Sequence, residues 1–305
     1  MFNKKYGFLA LLVVLVTIIG LNIQPNRNLS ELKTKYTNQA SQFMELQGMQ
    51  VHYRDEGIGL PIVLLHGTGA SLHTWDAWTE ELSKEYRVIR MDLPAFGLTG
   101  PHPDRDYTLD TYVDFLNAFA DKLELGQFYL AGNSLGGNIA WLFAARHPEK
   151  VNKLILLDPG GIVSGRKSPG VIRLARTPVF NQFIRMFTLR SLIKKNLLEV
   201  YAQDDKIDDL LIDRYFDFTL RPGNRQAFID RAKTINPDYS ALLTEIKCPS
   251  LIIWGAEDNW IPLVDGAAFQ RAIPNAKLEV MESVGHVPME EAPQESVLLV
   301  QQFLE

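Results

Sequence analysis

Cysteine is nearly absent: Cys248 is the only one in 305 residues. A lone cysteine cannot form an internal disulfide, and it excludes a metal site built on paired cysteines. It leaves the redox compartment open. A strong excess of one charge is also missing. The 31 Lys and Arg against 36 Asp and Glu give a net charge of −5, so nothing global suggests nucleic acid as a partner. Neither an internal repeat nor a low-complexity tract is evident. The composition is 46% apolar, enough for one large domain with a substantial core, or two small ones.

The N-terminus lacks charge altogether from Tyr6 to Asn26, and Gly7 to Leu21 is almost wholly apolar. As a helix, such a run spans about 30 Å, the thickness of a bilayer core. It is apolar on every side, whereas a core helix would be amphipathic. The sequence therefore predicts an N-terminal hydrophobic helix. It could be a cleaved signal peptide or an uncleaved anchor. No small-x-small cleavage site follows and no cysteine is placed for lipid attachment, which favours the anchor. Lys4 and Lys5 favour a cytoplasmic N-terminus with the remainder exported, to a periplasmic or extracellular face; Arg27, Lys33 and Lys35 beyond the run weaken that orientation. The alternative is secretion after cleavage.

Beyond a polar linker at 27–42, apolar runs and helical patterns alternate. Phe43 to Leu46 and Gln50 to Arg54, joined at Gly48, read as a hairpin. Strands are expected at 61–65, 87–91, 128–131, 153–157, 250–254 and 277–281. Helices are expected at 71–83, 109–123, 135–146, 263–272 and 294–303. This alternation implies an α/β class, with a mostly parallel central sheet covered by helices on both faces. Between about residues 162 and 245 it gives way to helical patterns broken by Pro169, Pro178, Pro222 and Pro237. That stretch reads as a helical cap inserted between a first core part at 43–161 and a second at 246–305. Ligands bind outside the carboxyl ends of parallel strands, and His66, Ser134, Asp158 and Asp258 all fall just after strand-like runs.

Gly132-Asn133-Ser134-Leu135-Gly136-Gly137 is the most informative stretch. It reads Gly-x-Ser-x-Gly between a strand and a helix, so the serine stands at the apex of a sharp turn. A serine hydroxyl needs a base, and the base needs a group that fixes its tautomer. Of six histidines, His286 has the setting of a base, on a Gly285-His286 loop after a strand. His52, His73, His102 and His147 read as structural or solvated. Asp258, after the 250–254 strand, is the expected orienting carboxylate; Asp158 is the second choice, and Glu257 points elsewhere. The candidate catalytic set is thus Ser134, Asp258 and His286. The oxyanion of a tetrahedral intermediate needs N–H donors. Leu135 should supply one and Thr68 the other, with Gly67 next in order. His66 reads as a brace for that loop. This chemistry calls for no metal and no organic cofactor, and no obligate protein partner is evident.

From about Phe43 to the end, the chain resembles the α/β-hydrolase superfamily. The matching residues are His66-Gly67, Asp92-Leu93-Pro94-Ala95-Phe96-Gly97, the turn at Ser134, Gly255–Asp258–Pro262 and Gly285-His286. Ala95 departs from the glycine usual there, which should alter loop geometry only slightly. Relatives that open epoxides or remove halide use an aspartate nucleophile, so Ser134 argues against both activities. Proline-specific aminopeptidases carry tryptophan where this chain has Leu135. The resemblance then implies a capped, lipase-like serine esterase acting on small to medium lipophilic carboxylic esters. One alternative is a hydrolase of carbon–carbon bonds in ring-cleavage products, which shares the Gly-Asn-Ser-x-Gly-Gly turn. Such enzymes usually carry a tryptophan shortly after the histidine and a positioned cap arginine; this chain has Val287-Pro288-Met289. The other alternative is a hydrolase fold that binds without turnover.

Acidic residues are missing from Gly165 to Leu198, which holds Arg166, Lys167, Arg173, Arg176, Arg185, Arg190, Lys194 and Lys195 among apolar positions. Such interleaving suits either a cap whose arginines face water or one resting on an anionic membrane. Asp204, Asp205, Asp208 and Asp209 follow, and read as a solvated helix start rather than a metal site.

Overall fold

A computed structural model describes residues 24–162 and 169–305. The N-terminal hydrophobic helix expected at 6–26 lies almost wholly outside the described residues, as do Arg166 and Lys167. Among the described residues no helix is long and apolar enough to cross a membrane.

Eight strands form one sheet. They are β1 (Ser41–Leu46), β2 (Met49–Glu56), β3 (Pro61–Leu65), β4 (Arg87–Met91), β5 (Phe128–Asn133), β6 (Val151–Leu157), β7 (Ser250–Gly255) and β8 (Ala276–Met281), in the order β1-β2-β4-β3-β5-β6-β7-β8. Only the two pairings made by β2 are antiparallel; the others are parallel. The alternation of side chains shows why the central strands read as unbroken apolar runs. Val63, Leu65, Leu130, Leu156 and Trp254 pack into one core cluster, while Ile62, Leu64, Ala131, Leu157 and Ile253 pack into the other. Successive residues point to opposite faces, and both faces are covered.

On the first face lie α3 (Leu109–Lys122), capped by Thr108, and α4 (Leu135–Arg146). Nine of the twelve residues of α4 are buried, so it is apolar round most of its circumference, with the exposed Arg146 at its last turn. The second face holds α2 (Asp76–Leu82) and α12 (Pro293–Leu304). The helix expected over 71–83 is a 3₁₀ turn at Leu72–Trp75 followed by α2, and Ser71 does not cap it. Its hydroxyl is 3.1 Å from His73 Nδ1 instead.

The linker expected at 27–42 needs correction. It contains α1 (Leu29–Tyr36), whose first turn is capped by the Asn28 side chain, and the start of β1. Leu32 is the one buried side chain of α1. Arg27, Lys35 and Tyr36 all reach Asp217 of the cap, at 3.1, 2.8 and 2.9 Å. Polar composition hid this segment because its short apolar stripe, Leu29, Leu32 and Tyr36, packs against distant Leu98 and Phe218 and is joined there by long-range ion pairs.

The cap comprises α5 (Gly170–Arg176), α6 (Phe180–Met186), α7 (Arg190–Val200), α8 (Asp209–Thr219) and α9 (Asn224–Lys233). Asp208 caps α8 and Asp209 pairs with Arg190, the helix-start roles expected of the acidic run. Leu243, placed in the cap by its sequence position, sits in the main core cluster. The remaining helices are α10 (Leu263–Ala272) and the single turn α11 (Pro288–Glu291).

Candidate active site

The chain leaves β3 for β4 on one side and later crosses to β5 on the other, so the loops after β3 and β5 diverge at a topological switch point. The cavity lies there. It encloses about 260 Å³ and is lined by Gly67, Thr68, Ser134 and His286 from the core.

Ser134 has φ 54° and ψ −111°. A non-glycine residue in that region stores roughly 1–3 kcal/mol of strain, which the surrounding packing must hold. The packing is tight: a Cβ on Gly136 would lie 2.1 Å from the Leu65 carbonyl oxygen, and one on Gly67 would lie 3.2 Å from Ser134 Cβ. Close approach, not turn conformation, is why glycine is required at both. Asn133 is buried, and its amide donates to the carbonyl oxygens of Leu157 (3.2 Å) and His286 (2.9 Å). It ties the serine turn to the histidine loop.

His286 Nδ1 donates to Asp258 Oδ2 at 2.6 Å, and Asp258 Oδ1 accepts from the N–H groups of Trp260 and Ile261 at 2.6 and 2.9 Å. This network fixes the tautomer that leaves Nε2 unprotonated. Nε2 is buried and makes no hydrogen bond among the described residues, so the Ser134–His286 bond is not formed here. Bonds of this kind are often long before substrate tightens the site. The Trp260 ring packs 5.5 Å from the imidazole. Neither Thr68 N–H nor Leu135 N–H donates a hydrogen bond among the described residues. Leu135 N–H opens α4, where the helix dipole favours negative charge.

Asp158 is fully buried. One of its oxygens accepts from Gly255 N–H at 2.9 Å, and the other makes no hydrogen bond among the described residues. Ligand-type atoms of Asp158, Asp258 and His286 lie within 4.8 Å of one another. Burial, and then the neighbouring Asp258 carboxylate, push Asp158 well above the ordinary carboxylate range. Such a group favours folding fully below its unfolded pKa of about 3.9, and the contribution is lost as pH rises toward the folded value, at about 1.4 kcal/mol per pH unit. Asp158→Asn cannot ionise and keeps a donor. Its thermal midpoint is therefore expected to gain on the wild type as pH rises from 5 to 8, with the smallest gain near pH 4. A gain independent of pH would show that Asp158 is ionised in the fold.

The other motif residues are structural. Asp92 accepts from Leu72 N–H, Leu98 N–H and His52 Nδ1 at 2.8, 2.7 and 2.7 Å. Burial alone would raise its pKa, but the charge and hydrogen bond of His52 hold it far below the usual range. Ala95 has φ 86°, so the alanine adopts the backbone that the usual glycine would. His66 Nε2 accepts from Leu93 N–H at 3.0 Å and Nδ1 donates to Gly67 O at 2.8 Å, which braces the Thr68 loop; burial pushes its pKa down.

Two residues with a part in the site escaped the sequence reading. Glu291, buried, accepts from Gly285 N–H at 2.6 Å and from Ala202 and Gln203 N–H at 2.8 and 2.7 Å. It joins the histidine loop to the end of α7. Glu290 binds Arg214 and, at 2.7 Å, Tyr215 of α8. The only signal was a pair of acids directly behind a loop histidine.

The family profile for the alpha/beta hydrolase fold matches residues 61–293. The chain is 31% identical to the 2-hydroxy-6-oxononadienedioate/2-hydroxy-6-oxononatrienedioate hydrolase of Burkholderia vietnamiensis, covering 89% of this chain and 95% of that one. A meta-cleavage product hydrolase from Pseudomonas fluorescens superposes with TM-score 0.73 at 26% identity, covering 87% and 96%. A membrane phospholipase A described as a bacterial virulence factor superposes with TM-score 0.73 at 27% identity, covering 99% and 98%. The first two names match the carbon–carbon alternative more closely than the ester reading.

Proposed function

The chain belongs to the α/β-hydrolase fold family, and from that premise we propose that it hydrolyses lipophilic carboxylic esters through an acyl-enzyme on Ser134. One observation supports this substrate class over the alternative. The cap wall of the cavity is mostly apolar, with Val171, Leu174, Ile184, Phe187, Leu192 and Phe228 outweighing Lys195, Asn196 and Glu199. Arg225 is the one arginine among the described lining residues, and its two terminal nitrogens donate to Gln24 O and Asn26 Oδ1 at 2.9 and 2.7 Å. An acyl chain suits such a wall; a substrate bearing a carboxylate would need Arg225 released or would depend on Lys195, an exposed lining residue.

In this mechanism Ser134 Oγ attacks the acyl carbon and its proton passes to His286 Nε2. Asp258 stabilises the imidazolium through Nδ1. The oxyanion meets the N–H groups of Thr68 and Leu135, each worth about 3 kcal/mol or more. The alcohol departs with the proton from His286, and water activated at the same nitrogen frees the acid. The charge-free N-terminal run is proposed to anchor the chain, with the catalytic domain on the exported side.

The second reading is carbon–carbon bond hydrolysis of ring-cleavage products, favoured by the names of the curated relatives. A series of p-nitrophenyl acyl esters run beside one ring-cleavage dienoate separates the two. The ester reading expects kcat/KM to rise with acyl length to medium chains and the dienoate to turn over at least about a hundredfold more slowly. The reverse order would establish the second reading.

A further inference from the structure

The cap leaves a set of large apolar side chains in water. Val179, Phe180, Phe183 and Met186 are 79, 54, 50 and 42% exposed, and Leu174 and Leu192 are 46 and 48% exposed. Leu174 and Leu192 also line the cavity. The outer patch and the cavity wall are therefore continuous at those two residues. Exposed cations share the same helices. Arg173, Arg185, Lys194 and Lys195 are exposed and make no ion pair among the described residues, and no acidic residue occurs between 165 and 198. The described chain begins at this face: Gln24 N–H donates to Met186 O at 3.3 Å, and Arg225 holds Gln24 O and Asn26. In sequence, the charge-free run ends where this segment starts.

We infer that the face formed by α5, α6 and α7 docks on an anionic phospholipid bilayer and admits membrane-resident acyl esters to the cavity between Leu174 and Leu192. Apolar side chains rimmed by cations are what an anionic interface recognises. The segment at residues 24–28, clamped to the cap, then keeps the cavity mouth beside the membrane in which the N-terminal run is proposed to anchor the chain. The substrate class rests on the ester reading; the docking does not.

The test uses the full chain reconstituted in vesicles, in a Cys248→Ser background. An environment-sensitive fluorophore is attached at Phe183→Cys, with Leu298→Cys on α12, 52% exposed in the wild type, as the reference. Doxyl-labelled lipids should quench the label at 183 and not that at 298, and more so in phosphatidylglycerol than in phosphatidylcholine vesicles. Arg173→Glu/Arg185→Glu should lower turnover of a vesicle-embedded long-chain ester at least about tenfold, with turnover of a soluble short-chain ester unchanged. An apolar but unquenched label at 183 would mean that the N-terminal run or a second copy covers the face, and would overturn the docking. Equal quenching in both lipids would overturn the anionic recognition. Quenching without turnover of any ester would overturn the ester reading alone.

Discussion

Ser134→Ala is expected to abolish ester turnover, with a loss on the order of 10⁶-fold in kcat, as when one member of a nucleophile–base unit is removed elsewhere. Stability should change by less than about 1 kcal/mol. No hydrogen bond of the Ser134 hydroxyl is formed among the described residues, and alanine fits the same backbone. A residual rate of about 10³–10⁴ over water should persist from the N–H donors and the cavity. His286→Ala should lose a similar amount, and the double variant no more than either single one, because the two groups act as a unit. Burst release from a p-nitrophenyl ester and covalent labelling by a fluorophosphonate measure both. If Ser134→Ala and the wild type shared one background rate, the fold would be a binding scaffold rather than an enzyme.

The parts of this site that were legible in the sequence share one property: each follows a strand and carries a local signature. The turn at Ser134, the Gly285-His286 loop and the Asp258 loop are set by neighbours within a few residues. The apolar runs of β3, β5, β6 and β7 are equally local, since burial on both faces leaves no polar alternation. What was not legible depends on partners far away in the chain. Asn133 lies inside the motif, but its bond to His286 O spans 153 residues. Glu291 and Glu290 look like surface acids until the end of α7 and the middle of α8 are folded onto them. The segment at 27–42 looked like a linker because the residues that hold it, Leu98, Asp217 and Phe218, lie far along the chain. The N-terminal run and the cap's basic face were visible as composition, but composition does not say which way a helix turns its side chains.

The closeness of Asp158 to the Asp258–His286 pair sets the second large effect. Removing the orienting carboxylate of a serine–histidine–aspartate set typically costs roughly 10⁴-fold in kcat. Asp258→Ala should lose less here. Asp158 offers a second carboxyl oxygen within 4.8 Å of the Asp258 and His286 atoms. The Asp258 charge is one of the two main causes that push the Asp158 carboxyl above its ordinary range. Deleting it makes ionisation of Asp158 easier at the moment an imidazolium appears beside it. Asp158→Asn/Asp258→Ala removes both carboxylates and should show the full loss, at least about tenfold greater than Asp258→Ala alone, a coupling of about 1.4 kcal/mol. Asp158→Asn alone should stay close to wild type, because Asp258 still holds Nδ1. The pH profile of kcat/KM separates rescue from packing: in Asp258→Ala the acidic limb should carry a new dependence from Asp158, with activity rising as its carboxyl loses the proton, absent in the double variant. Equal losses in the single and double variants would show that the Asp158 carboxyl cannot reach the imidazole, and that its place beside the pair serves only to hold the loop after β7 through Gly255 N–H.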